Sequence, residues 1–375
     1  MTTATVPTDR AHLARAVALA AGVAGSTGPN PPVGCVLVRD GHVVGEGATA
    51  PVGGLHAEAA ALTVASDRAA GATAYVTLEP CAHHGRTPPC SDALAEAGVV
   101  RVVIGRRDPN AVAAGGADRL RLAGIEVDGP LREDDLLHGA ITRQLEGFLT
   151  VVARGRPHVT LKLAQTVDGL LEPPTPGRWI TGPAARTAVH RWRAACDAVL
   201  VGSGTILADD PRLDVRRVAR ACQPIAVVLD ARLRTPVGAE VVRPGTVVVT
   251  TATAPAERRG ALARSGVRVI DVPPSRTGHG VDLQAALAAL VPIGVTSVLA
   301  EPGGTVARAL VEADLVDRLV LHVAGGPGPS GPPARAVPRP PGGQWLTERS
   351  GGAGPDLILH LVPAARLTTE HREVS

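Results

Sequence analysis

Two series of alternating apolar strands and helices, separated by one Gly/Pro-rich break, organise this 375-residue sequence. Such alternation predicts β-sheets that are covered by helices on both faces. The break, Ala153-Arg154-Gly155-Arg156-Pro157, has the composition of a domain boundary. The length of the chain also favours two domains. We therefore predict an α/β protein with one domain at residues 1–152 and a second at 153–375.

Composition and charge exclude several classes of protein. The chain is 45% hydrophobic and 19% charged, with a net charge of +3, which is typical of a soluble globular protein. It has neither a long uninterrupted apolar segment nor a signal-peptide pattern, so we expect no membrane partner and a cytoplasmic location. Five cysteines are too few for a disulfide scaffold. Because the positive charge is dispersed and aromatic residues are scarce, we expect no nucleic-acid partner.

The first series predicts the elements of the N-terminal domain. In order, we expect a helix at 8–24, strands at 33–38 and 42–47 joined by an Asp40-Gly41 turn, a helix from His56, a strand ending at Glu79-Pro80, a short helix at 91–97 and a strand in VVRVVIG. The alternation of helix and strand continues to about residue 129, and a polar helix follows near 132–150.

The second series predicts the C-terminal domain. Strand candidates are HVTLKLA, DAVLVG, PIAVVLD, GTVVVT, VRVIDV and TSVLAE, and helix candidates are 183–195, 255–264, 282–290 and 304–313. Residues 325–343 are too rich in Gly and Pro for a regular element.

One histidine and two cysteines of the first domain have the character of a metal site. His56-Ala57-Glu58 opens a helix, and Cys81 and Cys90 follow the next strand. One imidazole and two thiolates suit a tetrahedral zinc ion with its fourth position open to water, which is the catalytic arrangement. Glu58, two residues past the ligand, is placed to carry a proton between water and a leaving amine, as in zinc nucleobase deaminases.

Each part of this pattern has a simpler alternative. His-Ala-Glu is a common start of a helix, and Cys81 and Cys90 can be buried thiols or, in an oxidising compartment, a disulfide. The conjunction of the three ligand candidates with Glu58 favours zinc-dependent deamination.

The segments LEPCAHHGRTPPC and PNPPVGCVLV resemble the signature of the bifunctional riboflavin-biosynthesis deaminase/reductase family. The resemblance implies a cytidine-deaminase-like, three-layer α/β/α domain that removes ammonia from 2,5-diamino-6-ribosylamino-4(3H)-pyrimidinone 5′-phosphate. Its motif residues match here at the zinc ligands His56, Cys81 and Cys90 and at the catalytic Glu58.

The same resemblance implies substrate contacts at His83 and Arg86, in the loop between the two cysteines. An arginine and histidines beside a metal can bind a phosphate or a pyrimidine edge, or the histidines can simply brace the loop. Asn30, in a Pro-Asn-Pro turn, either binds the base or holds the turn. Cys35 and Tyr75 are expected to be core residues.

Lys162 is the one lysine among 38 basic residues, and all the others are arginine. Because the arginine bias looks genome-wide, a retained lysine indicates a position where the broad guanidinium cannot replace a compact ammonium. A solvated surface lysine is the alternative.

The segment around it, HVTLKLAQTVDG, resembles the motif that opens the family's dihydrofolate-reductase-like α/β domain. This resemblance implies NADPH as cofactor, a catalytic role for Lys162 and a cofactor contact at Ala164. Thr166 and Leu170 depart from the family's usual Ser and Arg.

Three further segments, RWITG, VLVGSGTILADDPRLDVR and LAEPGGTVARALVEADLVDRLVLHV, carry the remaining resemblance. A strand that runs into glycines and a helix N-terminus also binds anions on chemical grounds, and two arginines suit one ribose phosphate. A core position is the alternative for the tryptophan. The resemblance implies NADPH contacts at Trp179, Thr205, Asp209, Gly303, Gly304 and Thr305, and substrate contacts at Arg193, Leu213, Arg216 and Glu301.

The expected function is therefore a zinc-dependent deamination followed by an NADPH-dependent reduction of the ribosyl group to ribityl. The substrate is a small pyrimidine ribonucleotide, and whether the chain forms a homo-oligomer stays open. The resemblance ends after His322, so a deaminase with a decayed reductase half is one alternative. A nucleic-acid-editing deaminase and a structural zinc module are the others.

Overall fold

The chain divides into two compact units, residues 1–155 and 156–375. The computed structural model describes residues 7–84, 88–167, 179–219, 222–276, 278–325 and 344–364. The last helix of the first unit continues to Arg154, and Gly155 ends it in the left-handed conformation at φ 65°. The predicted limit after residue 152 therefore lies within the last turn of this helix.

The first unit contains five α-helices, one short 3-10 helix (Ser66–Ala69) and five strands within its described residues. They are α1 (Pro7–Val23), β1 (Gly34–Arg39), β2 (His42–Ala48), α2 (Ala57–Ala65), β3 (Thr73–Leu78), α3 (Cys90–Glu96), β4 (Arg101–Arg106), α4 (Gly116–Leu122), β5 (Glu126–Asp128) and α5 (Leu136–Arg154). The sheet order is β2-β1-β3-β4-β5, with β1 antiparallel to both neighbours and β3, β4 and β5 parallel. Asp40 and Gly41, both at positive φ, form the predicted turn between β1 and β2.

The glycines of β1 and β2 show that helices cover both faces of this sheet. A Cβ at Gly34 would meet Ala16 of α1, and a Cβ at Gly47 would meet Ala57 of α2. Gly47 pairs with Cys35, the neighbour of Gly34, and adjacent residues of a strand face opposite sides. Helices α1 and α2 therefore pack on opposite faces, which gives the expected three layers.

The second unit is built on a nine-stranded sheet in the order β10-β9-β8-β7-β11-β6-β12-β14-β13. The strands are parallel from β10 to β12, and β14 and β13 are antiparallel to their neighbours. Its elements are β6 (His158–Gln165), α6 (Pro183–Ala195), β7 (Ala198–Gly202), α7 (Ser203–Asp209), β8 (Ile225–Leu229), β9 (Val247–Thr250), α8 (Ala256–Arg264), β10 (Arg268–Asp271), α9 (Leu283–Ala288), β11 (Ser297–Ala300), α10 (Gly304–Glu312), β12 (Arg318–Val323), β13 (Trp345–Ala353) and β14 (Asp356–Pro363).

The order of these strands creates a crevice at one edge of the sheet. From β7 the chain moves outward through β8, β9 and β10, and then returns to place β11 on the other side of β7. The loops after β7 and β11 therefore diverge at the carboxyl ends of two neighbouring parallel strands. Ligands of open α/β sheets bind at such a switch point.

Helix α7, strand β12 and the β13–β14 hairpin were not among the predicted elements. Strand β12 is an apolar, mostly buried segment that the sequence could have indicated. Strand β13 lies at the edge of the sheet, most of its residues are exposed, and two of them are adjacent glycines. An exposed edge strand lacks the apolar signal that identifies buried strands. Most of the Gly/Pro-rich segment, residues 326–343, lies outside the described residues. Among the described helices, none combines the length and apolarity needed to cross a membrane.

Candidate active sites

The first unit brings His56, Cys81 and Cys90 together at one end of its sheet. Their nitrogen and sulfur atoms all lie within 4.8 Å of one another. The Nδ1 atom of His56 is 3.8 Å from Sγ of Cys81 and 3.4 Å from Sγ of Cys90. His56 is the N-cap of α2, but its side chain makes no capping hydrogen bond, so its imidazole faces the two sulfurs.

These distances fit a zinc ion. Zinc binds sulfur at about 2.3 Å and nitrogen at about 2.0–2.1 Å, and tetrahedral angles then separate the two ligand atoms by about 3.6 Å. A hydrogen bond from the Cys90 thiol lowers the pKa of Cys81, which favours the thiolate that binds metals. Among the described residues, no fourth His, Cys, Asp or Glu joins the group. Three protein ligands with one open position are typical of a catalytic site.

Glu58 lies in the first turn of α2 with 4% of its surface exposed. Burial raises the pKa of its carboxyl group to about 7. A group of that pKa both accepts and releases protons near neutral pH, as a proton carrier must. Its carboxyl group also interacts with the Cys90 thiol, which places it beside the metal ligands.

Backbone hydrogen bonds hold the two cysteines in register. Ser91 donates to the Cys81 carbonyl oxygen from its backbone nitrogen (3.2 Å) and from its hydroxyl (3.1 Å). The Cys90 amide donates to Sγ of Cys81 at 3.3 Å. The start of α3 therefore fixes both ligands at once, which explains why a long loop between them is compatible with one metal ion.

Glu79 is a positioning residue that the sequence analysis did not identify. Its buried carboxylate accepts hydrogen bonds from the amides of Asp108 (3.2 Å), Gly115 (3.3 Å) and Ala117 (3.0 Å). It thereby ties the end of β3 to the N-terminus of α4. The sequence signal is its place at the end of a strand, immediately before Pro80-Cys81.

Gly116 allows α4 to approach this segment closely. A Cβ at this position would lie 1.7 Å from the Pro80 carbonyl oxygen, so the backbone next to Cys81 would have to move. We expect Gly116→Ala to lower the free energy of unfolding by about 1–3 kcal/mol. Displacement of the ligand segment should weaken zinc binding by about 10- to 100-fold. Calorimetric unfolding and competition with a chromophoric chelator measure the two effects.

Gly22→Ala is the matched control, because a Cβ at Gly22 in α1 meets no atom within 4 Å. It should leave zinc affinity unchanged and should not destabilise the protein. Wild-type zinc affinity in Gly116→Ala would contradict the proposed role of the close approach.

The predicted substrate residues of the first unit are placed unevenly. Asn30 lies in the loop before β1, where its backbone nitrogen and oxygen both bond to Thr27, and no hydrogen bond of its side chain holds the turn among the described residues. His83 follows Cys81 closely, and its Nδ1 atom is buried without a partner among the described residues. Arg86 lies outside the described residues. Cys35 and Tyr75 are buried, as expected, and the Tyr75 hydroxyl donates to Asp9.

The second unit gathers Lys162, Arg193 and Glu301 below the carboxyl ends of β6 and β11. Arg193 donates to both carboxylate oxygens of Glu301, at 2.7 and 3.1 Å, and to the Asp214 carbonyl oxygen at 3.0 Å. The side chain of Lys162 makes no hydrogen bond with the described residues. Burial lowers the pKa of Lys162, and the nearby Glu301 carboxylate opposes that effect.

The sequence predicts that Arg193 and Arg216 bind one phosphate together. In the structure Arg193 is paired with Glu301, and this arrangement does not show the two arginines converging. Arg216 forms an ion pair with Asp214, and its amide donates to Nδ1 of His190 at 3.3 Å. The side chain of Leu213 is buried in the core at a backbone φ of 52°, so only its backbone can face a ligand. His190 and Asp214 were not predicted, since neither lies in an apolar or glycine pattern.

A cleft of about 1100 Å³ opens at the switch point between β7 and β11. Its walls include Gly303, Gly304 and Thr305 at the N-terminus of α10, and Thr205 of α7. The Gly303 amide donates to the Thr205 hydroxyl at 3.1 Å. The volume exceeds the roughly 300–1,000 Å³ of common small-molecule sites, and the helix N-terminus suits a diphosphate. The cleft therefore fits an extended dinucleotide such as NADPH.

Three other predicted cofactor residues do not line this cleft. Trp179 is 71% exposed, so the alternative of a core position is wrong, and the Arg186 guanidinium lies 5.0 Å from its ring centre. Asp209 is exposed at the end of α7. Ala164 lies on the same face of β6 as Lys162, two residues away.

Comparisons with known proteins match both units. The family model for the cytidine and deoxycytidylate deaminase zinc-binding region matches residues 7–106, and the model for the RibD C-terminal domain matches residues 157–327. The riboflavin biosynthesis protein RibD of Escherichia coli is 40% identical, over 95% of this chain and 100% of its own length. RibD of Aquifex aeolicus is 38% identical, over 84% and 86% of the two chains.

Solved structures agree over the same length. RibD of Acinetobacter baumannii superimposes with a TM-score of 0.82 at 36% identity, covering 95% of this chain and 99% of that one. A diaminohydroxyphosphoribosylaminopyrimidine deaminase/5-amino-6-(5-phosphoribosylamino)uracil reductase from Thermotoga maritima has a TM-score of 0.79 at 30% identity, with the same coverage. The predicted fold class, a deaminase-like domain followed by a reductase domain, is confirmed. The chain belongs to the RibD family of riboflavin biosynthesis proteins.

Proposed function

We propose that this chain deaminates 2,5-diamino-6-ribosylamino-4(3H)-pyrimidinone 5′-phosphate in its first unit and reduces the ribosyl group of the product in its second. Membership of the RibD family makes it a bifunctional deaminase and reductase of riboflavin biosynthesis that uses zinc and NADPH. The observation that carries the proposal is the cluster of His56, Cys81 and Cys90 beside the buried Glu58. We assign the deaminase to residues 1–155 and the reductase to 156–375, following the division of the fold.

In the deaminase, His56, Cys81 and Cys90 would hold the zinc ion, and a zinc ion bound there would supply an activated water for attack on the amino-bearing ring carbon. The Glu58 carboxylate accepts a proton from the water and returns it to the amino nitrogen, which leaves as ammonia. Burial excludes bulk water from this proton, and the raised pKa of Glu58 matches both transfers. Asn30, His83 and Arg86 are proposed to bind the base and the phosphate.

In the reductase, NADPH would supply, when bound, a hydride for the sugar carbon that carries the amino group. We assign Lys162 to the reacting end of the site, where its ammonium can donate to the ring oxygen that becomes a hydroxyl. Arg193 keeps Glu301 ionised and fixed, so Glu301 can accept hydrogen bonds from the sugar. Leu213 and Arg216 are proposed substrate contacts, and Ala164, Trp179, Thr205, Asp209 and Gly303-Gly304-Thr305 are proposed cofactor contacts.

The partner that we propose is this small pyrimidine ribonucleotide, bound in the cytoplasm without nucleic acid. An enzyme of a small-molecule biosynthetic family has no need of a polymer, and the dispersed charge supports the same view.

The test is to supply the purified protein with the diaminopyrimidine nucleotide, with and without NADPH. Ammonia should appear in both reactions, and the NADPH absorbance should fall only after deamination. Ammonia without NADPH oxidation would identify a deaminase whose reductase half has decayed. Neither signal from a zinc-loaded protein would overturn the proposal in favour of a structural zinc module.

Lys162→Arg tests whether the single lysine is required in the reductase. The larger, planar guanidinium does not fit a half-buried position that lies beside Glu301 and Arg193, so we expect NADPH oxidation to fall at least about tenfold. Ammonia release in the same preparation should stay unchanged. Full NADPH oxidation by Lys162→Arg would show that the lysine is incidental.

A further inference from the structure

The segment after α7, residues 211–216, carries two of the predicted substrate contacts, Leu213 and Arg216. Among the described residues, none of these six forms a hydrogen bond between backbone groups. Leu213 lies at a φ of 52°, in the left-handed region, which costs free energy in a residue other than glycine. The shape of the segment therefore depends on side chains that come from elsewhere in the unit.

Two of these side chains hold the middle of the segment. Arg193 of α6 donates to the Asp214 carbonyl oxygen at 3.0 Å. The side chain of Gln223 accepts from the Val215 amide at 2.7 Å and donates to the Val215 carbonyl oxygen at 3.0 Å. Each contact satisfies a peptide group that has no backbone partner.

A third side chain, that of His190, holds the last peptide group of the segment. Its Nδ1 atom accepts a hydrogen bond from the Arg216 amide at 3.3 Å. His190 lies about one turn before Arg193 on α6, and both side chains are buried. The same face of α6 therefore fixes the segment and, through Arg193, the carboxylate of Glu301.

The contact with the Arg216 amide requires the neutral form of His190, because an imidazole nitrogen accepts a hydrogen bond only when it carries no proton. Burial lowers the pKa of His190, and the charges around the ring are mostly positive. These charged neighbours are Arg193 on α6, Asp214, Arg216 and Arg217 in and after the segment, and Glu301 after β11. His190 is therefore neutral near pH 7 and can accept the bond.

The side chain of Arg216 has donors to spare for a ligand. It is 49% exposed and forms an ion pair with Asp214 through one nitrogen atom. A guanidinium group carries five N–H donors, so this ion pair leaves others for an anion. Binding of a phosphate through paired donors depends on the direction of the guanidinium plane. The backbone from which Arg216 projects sets that direction.

We propose that His190 is a positioning residue of the reductase, which holds the backbone of Arg216 so that the guanidinium group meets the 5′-phosphate of the substrate. This inference rests on the proposed substrate contact of Arg216. His190 supports substrate binding and takes no part in the transfer of hydride. A histidine that only stabilised α6 would affect all substrates alike, whereas a positioning residue for Arg216 affects the substrate that carries a phosphate.

The test follows NADPH oxidation with two substrates, the deaminated nucleotide and the corresponding nucleoside, which lacks the phosphate. His190→Leu removes the acceptor and should raise the KM for the nucleotide about tenfold, with kcat changed less than about threefold. The KM for the nucleoside should change less than about twofold, because the group that Arg216 meets is missing. Ammonia release in the same preparation should stay at the wild-type value.

Two further substitutions at the same position distinguish the ring nitrogens. The side-chain oxygen of asparagine lies near the place of Nδ1, so His190→Asn should restore most of the wild-type KM for the nucleotide. Glutamine reaches the place of Nε2 instead, so His190→Gln should not restore it. Thr187→Val is the matched control, because the Thr187 hydroxyl donates to the Pro183 carbonyl oxygen within α6 at 3.0 Å. It should leave both KM values unchanged.

Three results would overturn the proposal: a nucleotide KM within about twofold of the wild type in His190→Leu, equal effects on nucleotide and nucleoside, or restoration by His190→Gln and not by His190→Asn. Fluorescence of the three tryptophans, all in the second unit, measures binding there without turnover. If the wild type oxidises no NADPH, but His190→Leu weakens binding of the nucleotide alone, the reductase function fails and the positioning role stands.

Discussion

Glu58→Gln should reduce ammonia release by about 10²- to 10⁴-fold, because an amide of the same shape cannot accept the proton of the attacking water. The substitution is nearly isosteric and leaves His56, Cys81 and Cys90 in place, so the zinc content should equal that of the wild type. NADPH oxidation with the deaminated nucleotide as substrate should also be unchanged. Ammonia assay, elemental analysis of zinc and NADPH absorbance measure the three quantities.

Glu96→Gln is the matched control, because Glu96 is an exposed carboxylate at the end of α3. It makes the same change of charge on the surface of the same unit and should leave all three measurements at wild-type values. Ammonia release by Glu58→Gln within about threefold of the wild type would exclude Glu58 as the proton carrier. A threefold decrease is far smaller than the roughly 10²- to 10⁴-fold contribution of general acid–base catalysis. Loss of zinc together with activity would instead assign Glu58 to the structure of the metal site.

Asp317→Ala should destabilise the second unit by about 3–5 kcal/mol, because it leaves the buried guanidinium of Arg156 without a counter-charge. The pair is almost fully buried, with 2% and 4% of the two side chains exposed. Arg156 donates to both carboxylate oxygens, at 2.6 and 3.0 Å, and the Val159 amide donates to the same carboxylate at 2.7 Å. The carboxylate therefore joins the start of β6 to the residue before β12, at the centre of the sheet.

The three tryptophans, at positions 179, 192 and 345, all lie in the second unit, so their fluorescence during urea unfolding reports on that unit alone. The control Asp271→Ala removes the more exposed ion pair with Arg259 and should cost less than about 1 kcal/mol. The double variant Arg156→Met/Asp317→Leu should recover part of the loss, because no buried charge then remains unpaired. A cost of less than about 1 kcal/mol for Asp317→Ala would show that water reaches Arg156.

The deaminase site was predictable in large part because its residues lie in short, chemically distinctive segments. His56 and Glu58 share the first turn of one helix, and Cys81 follows the next strand directly. Local periodicity was enough to place these elements. It did not indicate the contacts that support the metal ligands, in which Glu79 accepts a hydrogen bond from the Ala117 amide and Pro80 packs against Gly116, 38 and 36 residues along the chain. Such contacts depend on how α4 packs against the end of β3, and no local pattern encodes that.

The reductase site was less predictable, because its residues come from strands that are distant in sequence. Arg193 and Glu301 are both predicted to contact substrate, and the ion pair between them was not part of that prediction. The spacing of residues cannot show which of several acids will neutralise a given arginine. The β13–β14 hairpin was also missed, since an exposed edge strand with adjacent glycines lacks the apolar alternation by which strands are recognised.

By itself, the sequence determined the two α/β units, the elements that carry the motifs and the chemistry of the zinc ligands, because each depends on residues close together in the chain. Only the tertiary structure decided which charges are neutralised and which are left facing a cleft. Arg156 and Arg193 pair with buried carboxylates more than a hundred residues away, whereas Arg232 and Arg276 line the cleft of the second unit and form no ion pair with the described residues. Spacing along the chain cannot show which arginines will be paired, since every arginine carries the same guanidinium and the fold alone decides which carboxylates lie beside it.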